Sequence, residues 1–87
     1  MTRIRLFTHP ICSGCAEALA LVQRLAAEEP EIQVEVISLA SAAGRAAAQE
    51  AGIVVVPTFL IDGERLTGVP TLEELRALVQ HAARTGG

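Results

Sequence analysis

The chain has 87 residues, of which 51% are hydrophobic and 20% are charged, and its formal net charge is −3. This length predicts one domain, 1–87, with one modest core, and the apolar fraction excludes a disordered chain. The acidic balance and the two aromatic residues, Phe7 and Phe59, argue against nucleic acid as a partner, because phosphates attract basic surfaces and bases stack on aromatic rings. No apolar run reaches the roughly 18 residues that cross a bilayer, so no membrane partner is expected.

The first part of the chain changes from a strand pattern to a helix pattern. Residues 3–8 alternate, which predicts a strand that ends before Pro10, since proline has no N–H for a sheet ladder. From Cys12 the apolar residues recur at helical spacing, as Ala18, Leu21, Val22 and Leu25. The pattern predicts a helix that begins at Cys12 and ends at or before Glu29, because Pro30 follows.

A second strand and a second helix follow. Residues 32–36 alternate Ile and Val with Gln and Glu, which predicts a half-exposed strand at a sheet edge. Ser41 is a candidate N-cap for a helix over Ala42–Ala51, and Gly52 a candidate C′ residue. Gly44 weakens that helix by about 1 kcal/mol relative to Ala.

The third strand is predicted over Ile53–Ile61, a run that is almost entirely β-branched or aromatic and therefore typical of a strand buried on both faces. Pro57 interrupts this run. Asp62-Gly63 predicts a hairpin turn of type I′, and residues 64–68 form the return strand.

The last helix begins at a predicted capping box, in which Thr71 is the N-cap and Glu74 stands at the third helical position. Its core stripe consists of Leu75, Leu78, Val79 and Ala82. Residues 84–87 are predicted to fray. The element order is therefore β-α-β-α-β-β-α, an α/β fold with a mixed four-stranded sheet, helices on both faces and a parallel first pair of strands.

The chain holds two cysteines, in the sequence Cys12-Ser13-Gly14-Cys15 at the predicted strand-to-helix junction. Two cysteines this close cannot brace a secreted mini-domain, and the N-terminal residues lack the apolar stretch of a secretory signal, so a cytoplasmic location is expected. In that setting a Cys-x-x-Cys beside a βαβ pattern indicates a redox motif.

The position of the motif predicts how the two sulfurs divide the work. At the start of a helix, Cys12 would lie near unpaired backbone N–H groups and the positive end of the helix dipole, which favour a thiolate. Cys15, one turn further into the helix, could attack a mixed disulfide on Cys12. Cys12 is therefore the predicted nucleophile and Cys15 the predicted resolving thiol.

Three alternatives use the same cysteines. They could be two small side chains that fill core space, or the soft ligands of a Cu(I) or Zn(II) carrier, although zinc usually takes four ligands and only His9 and the distant His81 could add to the thiols. They could also form a disulfide that only switches the affinity of a docking module.

His9 is a candidate for tuning the Cys12 thiolate, as a cation or as a neutral base, whereas His81 is expected to lie on the surface.

The motif in its context resembles the thioredoxin-fold superfamily, and within it the small glutaredoxin-like and thioredoxin-like disulfide oxidoreductases. The matching segments are 6–15 around the cysteines, 52–63 with its Val-Pro-Thr sequence, and Gly68 before the last helix. The resemblance covers essentially the whole chain. It implies a thioredoxin-like fold of glutaredoxin size and an enzyme that exchanges protein disulfides through Cys12 and Cys15.

The resemblance also implies a substrate-binding segment, Val56, Pro57 and Thr58. In the family this proline is cis and faces the cysteines, and the backbone of the residue before it pairs with an extended substrate. The implied partners are disulfide-containing proteins and a thiol reductase or thiol pool as electron donor, with no cofactor beyond the redox-active disulfide.

Two departures from the family pattern concern acid groups and glutathione. The buried carboxylate of thioredoxins falls near Leu6, so activation of Cys15 needs water, substrate or His9. The chain has no Lys, and Gly68-Val69-Pro70-Thr71 replaces the glutaredoxin Gly-Gly with its acidic residue, which makes glutathione a doubtful partner. The N–H groups near Thr71 are left as candidate anion-binding groups.

Overall fold

The structure, a computed structural model, describes residues 2–85, and its description of side chains covers residues 2–82. Four strands and three helices alternate along this part of the chain, in the predicted order. Their bounds are β1 Thr2–Thr8, α1 Cys15–Glu28, β2 Ile32–Ser38, α2 Ala42–Ala51, β3 Thr58–Ile61, β4 Glu64–Thr67 and α3 Leu72–Thr85.

The four strands form one mixed sheet in the order β2-β1-β3-β4. β1 runs parallel to β2, as the helix between them predicts, while β3 pairs antiparallel with both β1 and β4. β2 is an edge strand, and its alternating apolar side chains are only partly covered. In the register of β1 and β3, Phe7 lies opposite Thr58, so the segment just before β3 lies beside the end of β1.

Helices cover both faces of the sheet, which confirms the predicted layers. On one face α1 and α3 pack together over the larger core, whose members include Ile4, Leu6, Val22, Leu75 and Val79. On the other face α2 packs over a smaller cluster formed by Phe7, Ile37, Ala48 and Ile53. The sheet therefore presents the carboxyl end of β1 between the two layers, where α1 begins.

The local turn and capping signals agree with the structure. Ser41 caps α2 by accepting the N–H of Gly44 at 2.9 Å, and Gly52 ends it with a φ of 71°. Asp62 and Gly63 both have positive φ, 47° and 90°, as a type I′ hairpin requires.

The predicted strand over Ile53–Ile61 is wrong in its first half, because β3 begins only at Thr58. Val54 and Val55 are 91% and 52% exposed instead of buried on both faces. The chain bends here because Pro57 has no N–H to offer a ladder and because the Thr58 hydroxyl donates to the carbonyl of Val55 at 2.6 Å.

The end of the chain also differs from the prediction. α3 continues through Thr85, two residues into the segment that the sequence predicts to fray, while residues 86–87 lie outside the described part. Among the described residues, no helix combines the length and the apolar character needed to cross a membrane.

Candidate redox site at the start of the first helix

Cys12 and Cys15 form a disulfide with an S–S distance of 2.06 Å, in the turn that leads from β1 into α1. The predicted helix start is shifted: α1 begins at Cys15, so Cys15 is its first residue and Cys12 lies in the turn before it. The reason is Gly14, whose φ of 100° is left-handed and incompatible with a helix interior. Because Cys12 is bonded to the first helical residue, its sulfur still lies at the N-terminus of the helix.

The start of α1 has no side-chain cap. The first hydrogen bond of the helix runs from the N–H of Ala18 to the carbonyl of Gly14 at 2.9 Å. Among residues 2–85, the N–H groups of Cys15, Ala16 and Glu17 have no hydrogen-bond partner. Unpaired donors at the positive end of the helix dipole favour an anion, which supports the predicted thiolate.

The two sulfurs differ in access. Cys15 is buried, with 6% of its surface exposed, whereas Cys12 is half-buried. A partner molecule can therefore reach Cys12 first. Burial of Cys15 within reach of Cys12 suits a thiol whose target is the neighbouring sulfur.

His9 holds the turn that presents Cys12. Its carbonyl accepts the N–H of Cys12 at 3.0 Å, and its Nδ1 accepts the N–H of Ile11 at 3.2 Å. Both contacts hold the turn before Cys12. Among the described residues, no hydrogen bond joins the His9 ring to either sulfur, so its tuning of the Cys12 thiolate stays a prediction.

An open cleft of about 280 Å³ reaches Cys15 from one side, and the side chains around it include Thr8, His9 and Ser38. Leu6, where thioredoxins are expected to carry an acid, is fully buried. Among the described residues, the buried polar side chains are only threonines, so no carboxylate is buried near this thiol. This open cleft therefore connects Cys15 with solvent.

The segment around Pro57 is fixed at the same end of the sheet. The peptide bond between Val56 and Pro57 is cis, and Pro57 is buried. The carbonyl of Pro57 accepts the N–H of Gly68 at 2.8 Å. Among residues 2–85, the N–H and carbonyl of Val56 have no hydrogen-bond partner, which leaves them available to an extended peptide.

Exposed apolar side chains occur on three segments at this end of the sheet, a feature that the sequence analysis missed. Ile11 is 87% exposed, Val55 52% and Val69 43%. Val69 belongs to the loop before α3, yet it touches the cysteine motif: a Cβ built on Gly14 would lie 2.9 Å from its Cγ2. The sequence signal for Val69 was its place after Gly68, which alone does not reveal this contact.

Other candidate residues lie outside the site. His81 is on α3, where its Nε2 lies 3.6 Å from a carboxylate oxygen of Glu64. The N–H of Thr71, one of the groups considered for anion binding near this residue, donates instead to Glu74 at 2.9 Å and is not available to a ligand. No group of three or more His, Cys, Asp or Glu side chains suited to a metal occurs in the described part of the chain.

Comparisons with known proteins point to one family. The family model described as Thioredoxin domain matches residues 2–80. A thioredoxin of Methanocaldococcus jannaschii is 39% identical over 75 residues, 84% of this chain and 86% of that protein. The thioredoxin of Fasciola hepatica has the same fold, with a TM-score of 0.81 at 23% identity over 93% of this chain and 80% of that chain. A mutant thioredoxin from Halobacterium salinarum gives 0.82 at 24% identity, over 93% and 74%.

Proposed function

The chain belongs to the thioredoxin domain family and is a protein disulfide oxidoreductase, and we propose that Cys12 is its attacking nucleophile and Cys15 its resolving thiol. The observation that carries this proposal is the difference in access at an uncapped helix start: Cys12 is half-buried, and Cys15 is 6% exposed. The more accessible sulfur, that of Cys12, can contact the substrate, whereas the buried sulfur of Cys15 can contact only Cys12.

In the first step the Cys12 thiolate attacks one sulfur of a substrate disulfide. A mixed disulfide forms between Cys12 and the substrate, and the other substrate sulfur leaves as a thiolate. The unpaired N–H groups at the start of α1 stabilise the anionic form of Cys12 before the attack.

In the second step the Cys15 thiolate attacks the Cys12 sulfur. The mixed disulfide breaks, the second substrate sulfur leaves as a thiolate, and the Cys12–Cys15 disulfide forms, so the substrate gains the two electrons that the protein loses. Since no buried carboxylate lies beside Cys15, its proton passes to water in the open cleft.

Substrate contacts are proposed for the segment Val56, Pro57 and Thr58. The unpaired backbone groups of Val56 can pair with an extended chain, as an added strand would. Thr58 acts indirectly, since its buried hydroxyl holds the carbonyl of Val55 at 2.6 Å and so fixes the bend. Pro57 fills the space below the bend.

A thiol reductase or a pool of small thiols is the proposed electron donor, in the cytoplasm. Glutathione recognition through its carboxylates has little support. The chain has no Lys, and the N–H of Thr71 at the start of α3 is already occupied by Glu74. The metal-carrier and docking-module alternatives gain no support from the family or from the described side chains.

The test is reduction of insulin disulfides with dithiothreitol, for the wild type and the variants Cys12→Ser and Cys15→Ser. Cys12→Ser should reduce the rate to that of dithiothreitol alone. In a separate reaction without dithiothreitol, the pre-reduced variant Cys15→Ser should trap a mixed disulfide between Cys12 and the substrate, visible by mass spectrometry, because dithiothreitol would otherwise reduce this bond. Catalysis by Cys12→Ser at the wild-type rate would contradict the proposal, and so would trapping through Cys15 in that variant.

A further inference from the structure

A groove runs along α1 away from the disulfide. It has a volume of about 400 Å³ and is lined by Glu17, Ala20, Leu21, Arg24, Val69 and Pro70. The α1 residues in it recur every three or four positions and so form one face of the helix. Gly14 begins the same face and touches Val69, so the groove is continuous with the cysteine motif.

The two ends of this groove carry opposite charges. Glu17, the end nearer the disulfide, has no ion-pair or hydrogen-bond partner among the described residues. Arg24, the far end, is 69% exposed and lies 3.6 Å from Glu28. The pair with Glu28 is long and uses only Nε of Arg24, while Arg76 of α3 lies 2.6 Å from the other oxygen of the same carboxylate. Among the described residues, the terminal nitrogens of Arg24 have no partner, so its guanidinium can take a second anion. Between the two charges the lining is apolar.

We propose that this groove is a specificity subsite for the substrate polypeptide, which binds there with a cationic side chain at Glu17 and an anionic side chain at Arg24. The inference rests on the proposed function, because the groove selects among disulfide substrates of the same Cys12 thiolate. Its occupant is an extended segment beside the substrate cysteine, with the cation nearer to that cysteine.

The helix sets the spacing of the two charges. Arg24 lies seven positions after Glu17, which corresponds to about 10.5 Å along α1 at about 1.5 Å per residue. An extended peptide rises about 3.3 Å per residue, so it covers this distance in about three residues. The preferred substrate therefore carries a Lys or Arg near its cysteine and an Asp or Glu about three residues further on.

The test uses peptides of identical composition whose single cysteine is activated as a 2-pyridyl disulfide. In one peptide a Lys is nearer the cysteine and a Glu lies three residues beyond; in the other the two are exchanged. Both arrangements are made on either side of the cysteine. Attack by Cys12 on the peptide sulfur forms the mixed disulfide and releases pyridine-2-thione, which is followed by absorbance. Because net charge is the same, long-range attraction cancels in the ratio of rates.

With the reduced wild type, we expect the peptide whose Lys is nearer the cysteine to react about three- to tenfold faster than the exchanged peptide, when the charges lie on the side of the cysteine that enters the groove. This ratio corresponds to the free energy of two exposed ion pairs. The double variant Glu17→Arg with Arg24→Glu keeps the net charge and should reverse the order. High salt should shrink the preference in both proteins. Any change in the reactivity of Cys12 itself affects both peptides equally and leaves the ratio unchanged.

Equal rates for the paired peptides on both sides, a preference for the Glu-near peptide, or a preference that the double variant does not reverse would overturn the subsite. Each of these outcomes still shows release of pyridine-2-thione and leaves the proposed function intact. Absence of release from every peptide would instead contradict the proposed function. The two failures are therefore distinguishable in one assay.

Discussion

The three helices within residues 2–85 begin in two different ways. α2 and α3 begin with side-chain caps: the hydroxyl of Ser41 accepts the N–H of Gly44, and Thr71 and Glu74 exchange two hydrogen bonds of 2.9 and 3.1 Å. α1 begins at a left-handed Gly14 with no side-chain cap. Side chains thus satisfy backbone donors at the starts of α2 and α3, whereas the donors at the start of α1, beside the two cysteines, have no side-chain cap.

This difference shows that the fold lacks a stabilising cap at the helix start that carries the redox site. A side-chain cap contributes about 1 kcal/mol, so an uncapped start is a local cost. At α1 this loss of stability occurs beside the disulfide, the exposed Val69 and the groove along α1 that has Glu17 and Arg24 at its ends. Departures from the local rules of stability are expected at functional sites, and here the departure lies beside Cys12, the proposed nucleophile.

The largest expected loss of stability comes from a substitution at Gly44, in the capped start of α2. A Cβ there would lie 1.7 Å from the carbonyl oxygen of Ser38 and 2.7 Å from its carbonyl carbon. In most helices Gly→Ala stabilises, by up to about 1 kcal/mol. Here Gly44→Ala should destabilise by about 2–4 kcal/mol, because backbone must move to admit the methyl group. Urea unfolding monitored by circular dichroism measures this.

The matched control for Gly44→Ala is Ala46→Gly, at an exposed position of the same helix. It should cost about 1 kcal/mol through helix propensity alone. If Gly44→Ala were as stable as the wild type, the close approach of α2 to the end of β2 would be wrong.

The capped start of α3 can be weakened by about 1 kcal/mol with Thr71→Ala, without loss of disulfide reduction.

Glu74, the partner of Thr71 in this cap, makes the stability depend on pH: the backbone N–H of Thr71, and then its side chain, lower the pKa of Glu74 below the ordinary 4.5. A lowered pKa in the folded state stabilises fully above the unfolded value and is lost as the pH falls through the folded value. The contribution is therefore constant near neutral pH and disappears in acid.

Glu74→Gln keeps the size of the side chain and removes its titration. The slope of unfolding free energy against pH in the acid range should be shallower in this variant than in the wild type. Identical slopes would show that the capping box does not hold the ionised form. Insulin reduction at neutral pH serves as the control and should be unchanged.

The sequence predicts the capped helices well because their signals are local. Ser41 and Gly52 bound α2 at the residues observed, and Thr71 with Glu74 marks the start of α3. The cysteine motif was equally visible, since two thiols three residues apart after a strand have few other uses. These features depend on neighbours within four residues.

The errors have a different origin, since they depend on contacts between distant segments. The run before Pro57 has strand composition, but β propensity reflects packing, and Val54 and Val55 have nothing to pack against. The start of α1 depends on the conformation of Gly14, which glycine alone does not specify. The groove along α1 could not be predicted because Val69, which lines it beside Gly14, comes from a loop 55 positions further along the sequence.

The uncapped start of α1 can be tested directly by a smaller effect, the preference of its free N–H groups for an anion. Cys12→Asp places a carboxylate there, and Cys12→Asn places a neutral side chain of the same shape. Under reducing conditions at neutral pH, the Asp variant should be the more stable by about 0.3–1 kcal/mol. The difference should begin to fall as the pH drops below the carboxyl's ordinary pKa of about 3.9, and it should vanish once the pH lies below the lowered pKa of the carboxyl in the folded state, because the charge then disappears. Equal stability at neutral pH would show that this helix start does not favour anions, and the thiolate at Cys12 would lose its physical basis.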